Sequence, residues 1–245
     1  MNKVVLITGA SRGIGASIAK KMASKNYNIV INYNNSKLKA LKLKEEIENQ
    51  YHVKVLVIKA DVSNEDEVKK MIDESIKEFG KLNCLVNNAG LAIDTCFEDK
   101  TVQNFQKILN TNLIGPFLTS KYAFKYLEKE ENSSIINISS TNGIDTIYSE
   151  SLDYDASKAG LISLTKNLAL QFSPKIRVNS VAPGWVKTDM NNNLDPNFVK
   201  EEEQKILLER FANPEEIANV VAFLASDEAT YINSEVIRVD GGFYS

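Results

Sequence analysis

The pair with the clearest potential for chemistry is a tyrosine followed four residues later by a lysine. Tyr154 and Lys158 fall in a stretch whose apolar spacing predicts a helix over 153–173, and residues four apart share one face of a helix. A phenol has a pKa of about 10, and a cation a few ångströms away lowers it by about one to three units. Such a phenol exchanges a proton with an alkoxide, so the pair indicates acid–base chemistry on a carbonyl or an alcohol.

A second tyrosine–lysine pair has the same spacing. Tyr33 and Lys37 follow a predicted strand and have no serine partner. Because a tyrosine four residues before a basic residue arises easily by chance, we interpret this pair as unrelated to catalysis.

A glycine-rich loop directly follows the first apolar run. The loop, Thr8-Gly9-Ala10-Ser11-Arg12-Gly13-Ile14-Gly15, lies between a predicted strand and a predicted helix over 13–25. Glycines in this context permit a tight turn and let the backbone approach a pyrophosphate, and the helix N-terminus offers free N–H groups to the phosphates. The loop therefore predicts a dinucleotide site.

The end of the second predicted strand indicates which dinucleotide binds. NAD-binding domains place a carboxylate there for the ribose 2′-hydroxyl, whereas residues 32–36 are neutral and include Asn32, Tyr33 and Asn34. Neutral amides can donate to a 2′-phosphate, and Arg12 and Lys37 can supply positive charge. We therefore expect NADP(H) rather than NAD(H).

Short β-branched runs alternate with longer helical patterns along the whole chain, which predicts one domain over 1–245. This order is typical of an α/β fold with a doubly wound, Rossmann-like, seven-stranded parallel sheet and helices on both faces. The predicted strands are Val4–Thr8, Ile29–Tyr33, Val53–Lys59, Cys84–Asn87, Ser134–Ser139, Arg177–Ala182 and Glu235–Val239. The predicted helices cover about 13–25, 36–50, 65–79, 101–130 and 153–173.

One long segment, 184–212, interrupts this alternation. It follows the sixth predicted strand, begins with the polar run 191–193 and becomes helical over about 197–209. A segment at the carboxyl end of a strand is well placed to form a lid over a ligand. A further helix begins after it, with Asn213 as N-cap, Pro214 first and Glu216 third.

Composition excludes several other functions. The chain has 245 residues and a formal net charge of −3, which provides no basic face for nucleic acid. No run approaches the length of a membrane span, and the first residues do not resemble a signal peptide. One histidine and two cysteines, Cys84 and Cys96, do not make a metal site, and they suit the cytoplasm.

The motifs resemble, in order and spacing, those of the short-chain dehydrogenase/reductase family. Besides the glycine loop they are Asp61-Val62, Asn87-Asn88-Ala89-Gly90, Tyr154-Asp155-Ala156-Ser157-Lys158 and Pro183-Gly184, and the match extends to Asp240-Gly241-Gly242. The resemblance implies reversible hydride transfer between a nicotinamide and a carbonyl/alcohol pair. It also implies a homotetramer.

The resemblance assigns roles to particular residues. The catalytic set it implies is Asn112, Ser140, Tyr154 and Lys158, with Asn110 as a competing candidate for the asparagine. The cofactor set is Gly9, Ser11, Arg12, Gly13, Ile14, Gly15, Asn32, Tyr33, Asn34, Asp61, Val62, Asn88, Ala89, Gly90, Tyr154, Lys158, Pro183, Gly184, Val186 and Thr188.

The substrate is less sharply indicated. Within the family the strings are nearest to the 3-oxoacyl-[acyl-carrier-protein] reductases, but the acidic run 128–131 lies where that subgroup uses basic residues to dock its acidic carrier protein. A small ketone, a sugar or a 3-oxoacyl-CoA remains an alternative substrate. A non-catalytic sensor of nicotinamide redox state is a remoter one. Ile144, Ile147, Tyr148 and Trp185 are candidates for the pocket wall or for packing.

Overall fold

The computed structural model describes residues 2–189, 191 and 194–244. Seven parallel strands form one sheet in the order β3-β2-β1-β4-β5-β6-β7. The strands are β1 (Val4–Ile7), β2 (Asn28–Tyr33), β3 (Val55–Lys59), β4 (Cys84–Asn87), β5 (Ser133–Ile138), β6 (Ile176–Pro183) and β7 (Val236–Val239). The predicted doubly wound parallel sheet is confirmed.

Helices cover both faces of the sheet. They are α1 (Gly13–Ser24), α2 (Lys37–Tyr51), α3 (Glu65–Phe79), α4 (Val102–Leu109), α5 (Gly115–Leu127), α6 (Leu152–Phe172), α7 (Pro196–Gln204) and α8 (Pro214–Leu224). Residues of α1, α2 and α8 pack in one hydrophobic core, and residues of α3, α5 and α6 pack in another.

The alternation of β1 explains why its sequence is apolar throughout. Val5 and Ile7 belong to the first core, and Val4 and Leu6 belong to the second. Successive side chains of a strand point to opposite faces, so a strand covered on both sides needs an apolar residue at every position.

The predicted helix over 101–130 is wrong as a single helix. A π-helical turn, Asn110–Ile114, separates α4 from α5, and the Gly115 N–H donates to the Asn110 carbonyl. Pro116 has no N–H and removes the α-helical bond that the Asn112 carbonyl would otherwise accept. Gly115 sits so close to Val62 that a Cβ there would lie 2.9 Å from its Cγ2.

The segment 184–212 folds back beside the sheet. Val186 pairs with Ala212 in a parallel bridge, and α7 lies between them in sequence. The helical part ends at Gln204, earlier than predicted. Asn192 and Asn193 of the polar run fall outside the described residues. The predicted start of α8 is confirmed, because the Asn213 N–H donates to Glu216 Oε2 at 2.8 Å.

Candidate active site

A cleft of about 1190 Å³ opens along the carboxyl ends of the strands. The cleft spans the point in the sheet where β1 lies next to β4. From there the chain continues to β2 on one side of β1 and to β5 on the other side of β4. In open α/β sheets, ligands bind at this switch point. All twenty residues predicted for the cofactor line the cleft.

The glycine loop between β1 and α1 shapes one half of the cleft. Gly9 and Gly13 have φ of 61° and 57°, a conformation that L side chains rarely adopt. A Cβ at Gly9 would lie 2.8 Å from the Ala89 Cα. Asn88 holds this loop from the other side, because its Nδ2 donates to the carbonyls of Thr8 at 2.9 Å and Gly9 at 3.1 Å.

This half of the cleft fits a dinucleotide. The N-terminus of α1 faces it through Gly13, Ile14 and Gly15, and no acidic residue lies in the first turn of that helix. Free backbone donors at such a terminus favour a pyrophosphate. A Cβ at Gly90 would stand 3.6 Å from Lys158 Nζ, so glycine keeps the space beside that ammonium open.

Asn32 and Asn34 both line the cleft, but their side-chain amides make different contacts. Asn32 is buried, its Oδ1 accepts from the Gly9 N–H at 3.1 Å and its Nδ2 donates to the Ala60 carbonyl at 2.9 Å. Asn34 donates to Asp61 Oδ2 at 3.1 Å. The amide of Asn32 thus joins β2 to its neighbours, whereas Asn34 is exposed at the cleft and its Nδ2 carries a second hydrogen besides the one donated to Asp61.

Arg12 and Lys107 supply positive charge at this end of the cleft. The Arg12 side chain is exposed and faces Asp189, whose pKa is lowered first by Lys39, with Nζ 2.5 Å from Oδ2, and to a smaller extent by Arg12. Lys37, the other predicted cation, is not among the lining residues.

Tyr154 and Lys158 project from the first turns of α6 into the cleft. Lys158 Nζ lies 5.4 Å from the centre of the Tyr154 ring and donates to the Ile138 carbonyl at the end of β5, at 2.8 Å. The predicted shared face is therefore confirmed.

The expected electrostatics are not found in this structure. Burial raises the pKa of Tyr154 to about 12, and the charges of Asp155 and Asp94 add to the rise, whereas hydrogen bonding with Ser140 opposes it. Burial also lowers the pKa of Lys158 to about 8. The prediction that the lysine lowers the phenol pKa overlooked this burial, which disfavours the charged form of each group.

Ser140 is buried at the end of β5 and lines the cleft beside Tyr154. Its Oγ donates to Asn142 Oδ1 at 3.1 Å and accepts from the Asn142 N–H at 3.2 Å. Ser139 points away, and its Oγ donates to the Val181 carbonyl at 3.1 Å. Strand alternation predicted this difference correctly.

Asn112 lies behind the cleft rather than in its wall. It is fully buried, and its amide bonds to both backbone groups of Leu91 at 2.9 Å and to Ser157 Oγ at 3.0 Å. A Cβ at Gly90 would lie 3.5 Å from Asn112 Oδ1, which places this side chain next to Lys158. Asn110 is exposed and does not take this position.

An aromatic cluster forms the wall opposite the catalytic residues. Trp185 stacks on Phe211 with ring centres 5.3 Å apart, and its Nε1 donates to Glu202 Oε2 at 3.0 Å. Tyr148 donates to the same carboxylate at 2.5 Å. Tyr148 and Trp185 line the cleft, whereas Ile144 and Ile147 do not and are 43% and 82% exposed.

A buried ion pair supports the start of α6. Lys100 Nζ lies 2.7 Å from Asp153 Oδ1, with side-chain exposures of 7% and 0%, and the same oxygen accepts from the Tyr154 N–H at 3.0 Å. Sequence patterns did not reveal this pair, because residues 100 and 153 belong to elements that meet only in the fold.

The sequence pattern of the family described as "Enoyl-(Acyl carrier protein) reductase" matches residues 9–244. The 3-oxoacyl-[acyl-carrier-protein] reductase of Staphylococcus epidermidis is 41% identical over 245 residues, which cover 100% of both chains. This chain belongs to the short-chain dehydrogenase/reductase family.

Solved structures of the short-chain dehydrogenase/reductase family have the same fold. One from Serratia marcescens superposes with a TM-score of 0.94 at 33% identity and covers 99% of this chain and 98% of its own. Another, from Burkholderia cenocepacia in complex with NADP, gives 0.93 at 32% identity and covers 98% and 97%. The predicted family, an oxidoreductase family, is therefore confirmed.

No helix among the described residues has the length and apolar character needed to cross a membrane. Within the same residues, no group of three or more histidine, cysteine or acidic side chains is arranged to hold a metal ion.

Proposed function

We propose that this member of the short-chain dehydrogenase/reductase family is an NADPH-dependent reductase of 3-oxoacyl thioesters. The observation that carries the proposal is the convergence of Ser140, Tyr154 and Lys158 on one cleft that also contains the glycine loop. A sensor of nicotinamide redox state would need the glycine loop but not this convergence, so catalysis is favoured over sensing.

Tyr154 is the proton donor and acceptor of the proposed reaction. In reduction its hydroxyl donates to the forming alkoxide, and in oxidation its phenolate accepts the proton. Ser140 orients the substrate oxygen next to that hydroxyl. Lys158 holds the ribose beside the nicotinamide. The buried Asn112 supports the lysine from behind the cleft wall, through its hydrogen bonds with Leu91 and Ser157.

The cofactor in this proposal is NADP(H), which supplies or accepts the hydride when bound. Support comes from the neutral end of β2, from Arg12 in the cleft and from the relative that was solved with NADP. The glycine loop would hold the pyrophosphate, and Asp61 with Val62 would contact the adenine. Pro183, Gly184, Val186 and Thr188 would flank the nicotinamide.

The substrate class rests on the relatives' printed activity and on the cleft. The Staphylococcus epidermidis protein is a 3-oxoacyl-[acyl-carrier-protein] reductase, and the aromatic wall suits an acyl chain. Delivery by a carrier protein is less well supported, because three of the four residues 128–131 that follow α5 are acidic, although Lys125 and Lys129 are exposed beside them. The 3-oxoacyl-CoA thioester and small ketones are the alternatives.

The decisive assay compares NADPH oxidation with acetoacetyl thioesters of carrier protein and coenzyme A, beside simple ketones and sugars. Wild type should reduce a 3-oxoacyl thioester fastest, and Tyr154→Phe should bind NADPH but lose at least about 10²-fold in turnover. Equal turnover by both proteins would contradict the proposed role of Tyr154. NADPH binding without any carbonyl-dependent oxidation would favour the sensor.

We also propose a homotetramer in the cytoplasm. Subunits of an oligomer meet through apolar surface that the single chain leaves exposed. Such side chains occur around α4 and α5 and near the C-terminal strand. They are Phe97, Val102, Ile114, Phe117, Tyr231 and Tyr244. Leu161 and Leu168 of α6 are buried in the core and do not add to this surface. Sedimentation equilibrium of the full chain tests the assembly.

A further inference from the structure

A polar chain leads from the catalytic serine to a carboxylate that lies within the tyrosine–lysine motif. Ser140 Oγ contacts Asn142, Asn142 Nδ2 donates to Asp155 Oδ1 at 2.8 Å, and Ser151 Oγ donates to the same oxygen at 2.8 Å. Asp155 directly follows Tyr154 in the sequence. The chain thus joins the end of β5 to the start of α6, the two elements that carry the reacting groups.

The carboxylate fixes which way the Asn142 amide faces. If the amide were reversed, its oxygen would lie against Asp155 Oδ1, and two acceptors at that distance repel each other. The Asn142 oxygen therefore faces Ser140 and can only accept from it. Asp155 is itself held by Ser151, which is buried and whose Oγ also lies 3.1 Å from the Tyr148 carbonyl oxygen.

Asn142 in turn restricts the serine. Its side-chain oxygen and its backbone N–H contact Ser140 Oγ at 3.1 and 3.2 Å, and this pair of contacts favours one rotamer of the serine. Catalytic groups are effective when neighbours keep them near the productive geometry. A serine free to rotate would spend part of its time turned away from the substrate oxygen.

We propose that Asn142 and Asp155 are positioning residues, which hold the Ser140 Oγ in place beside Tyr154 through the chain Asp155–Asn142–Ser140. The hydroxyl has a single proton, which Asn142 Oδ1 accepts in the free enzyme and which turns to the substrate oxygen when the carbonyl binds. This inference rests on the proposed function. Neither residue touches the cofactor or the reacting atoms in it. Asn142 acts through the serine, and Asp155 acts through Asn142 besides the effect of its charge on Tyr154.

The test is steady-state kinetics with NADPH and acetoacetyl-CoA, together with NADPH binding by calorimetry. Asn142→Ala and Asp155→Ala should each lower kcat by about tenfold and leave NADPH affinity within about twofold, because geometry and not binding is lost. Asp155→Asn should retain kcat within about threefold, since its amide oxygen can accept the same two hydrogen bonds.

A double-mutant cycle separates positioning through Ser140 from a general structural effect. In a Ser140→Ala background, Asn142→Ala should cause no further loss, since nothing remains for it to hold. Independent losses that multiply would overturn the proposal, and so would wild-type kcat in both alanine variants. Asp155→Asn as impaired as Asp155→Ala would also contradict it. A different result contradicts the proposed function itself: equal turnover by wild type and Tyr154→Phe.

Discussion

Lys158 Nζ donates its hydrogen bond to the Ile138 carbonyl and lies 5.4 Å from the centre of the Tyr154 ring. The ammonium of this α6 residue is thus anchored to the end of β5. Lys158 is 4% exposed, and its charged form is disfavoured at this depth. The site therefore holds a cation that weakens the fold at neutral pH.

Lys158→Met should remove a pH dependence of stability. The pKa of Lys158 is lowered from 10.5 to about 8 in the folded protein, so the unfolded chain binds more protons between these two values. The cost of burying the charged lysine is absent above pH 10.5 and fully present below pH 8. The free energy of unfolding therefore rises as the pH increases from 8 to 10.5. Wild type should gain about 1 kcal/mol per pH unit over this window relative to the variant.

Urea unfolding at pH 8, 9 and 10 measures this slope. Lys166→Met, an exposed position on the same helix, is the matched control and should show the wild-type slope. A Lys158→Met protein that keeps the full pH dependence would show that the buried ammonium is not its source.

Asp94→Asn should shift the pH profile of alcohol oxidation to lower pH. Burial raises the pKa of Tyr154 to about 12, and the charges of Asp155 and Asp94 contribute to that rise. Lys158, on the same helix, is the cation near the Tyr154 ring. Removing the Asp94 charge favours the phenolate, so the rising limb of kcat against pH should move down by about half a unit.

The profile with NADP⁺ and a 3-hydroxyacyl thioester measures that shift. Glu98→Gln, an exposed acidic position in the same loop, serves as the control. An unchanged limb in Asp94→Asn would mean that a group other than Tyr154 limits the rate.

Glu202→Gln should loosen the wall of the cleft. The Glu202 carboxylate is buried and accepts from Tyr148, Trp185 and Lys205. A glutamine has one acceptor oxygen instead of two, so either Lys205 or the pair Tyr148 and Trp185 loses its acceptor, and the remaining bonds lose the assistance of the carboxylate charge. We expect the KM for the thioester to rise about tenfold with a smaller change in kcat, because the wall binds substrate without taking part in proton transfer.

Initial-rate kinetics over a range of thioester concentrations provide this comparison. Glu201→Gln, the exposed neighbour on α7, should behave as wild type. A loss confined to kcat in Glu202→Gln would indicate that the carboxylate has a different role.

Arg12→Ala should weaken the binding of NADPH more than that of NADH. Arg12 is the cation of the glycine loop that lines the cleft, and a charge-assisted bond to a 2′-phosphate contributes about 1.5–3 kcal/mol. The Kd for NADPH should therefore rise at least about tenfold, while that for NADH stays within about twofold.

Calorimetric titration with each dinucleotide tests this selectivity. Lys25→Ala, at the opposite end of α1 from the glycine loop, controls for a general loss of positive charge. Equal weakening of both dinucleotides would assign Arg12 to the pyrophosphate.

Sequence patterns predicted the sheet and most of the cleft because these depend on local periodicity and on motifs. The continuous apolar runs located the strands, and the glycine loop and the Tyr154–Lys158 spacing located both halves of the site. The helix over 101–130 was predicted without its π turn. Pro116 removes one backbone hydrogen bond to the Asn112 carbonyl, and the spacing of apolar residues does not show the loss of a single bond.

Other features depended on contacts between distant parts of the chain. Asn32 was predicted as a cofactor ligand from its place near the end of β2, and its amide also joins Gly9 and Ala60, residues 23 and 28 positions away, which the sequence did not show. The partners of Ser140 were missed for the same reason, although a polar residue at 142 and an acid at 155 were visible signals. The pKa of Tyr154 also depends on its burial, which spacing alone does not show.

Trp185 is the only tryptophan of the chain, and it lies in the cleft wall against Phe211 and Phe198. The intrinsic emission of this protein therefore originates from one ring at the point where substrate would pack. Excited near 295 nm, the unlabelled molecule should report movement of the 184–212 segment as a change in colour or intensity. Equilibrium and stopped-flow optics could then follow closure of the cleft in real time.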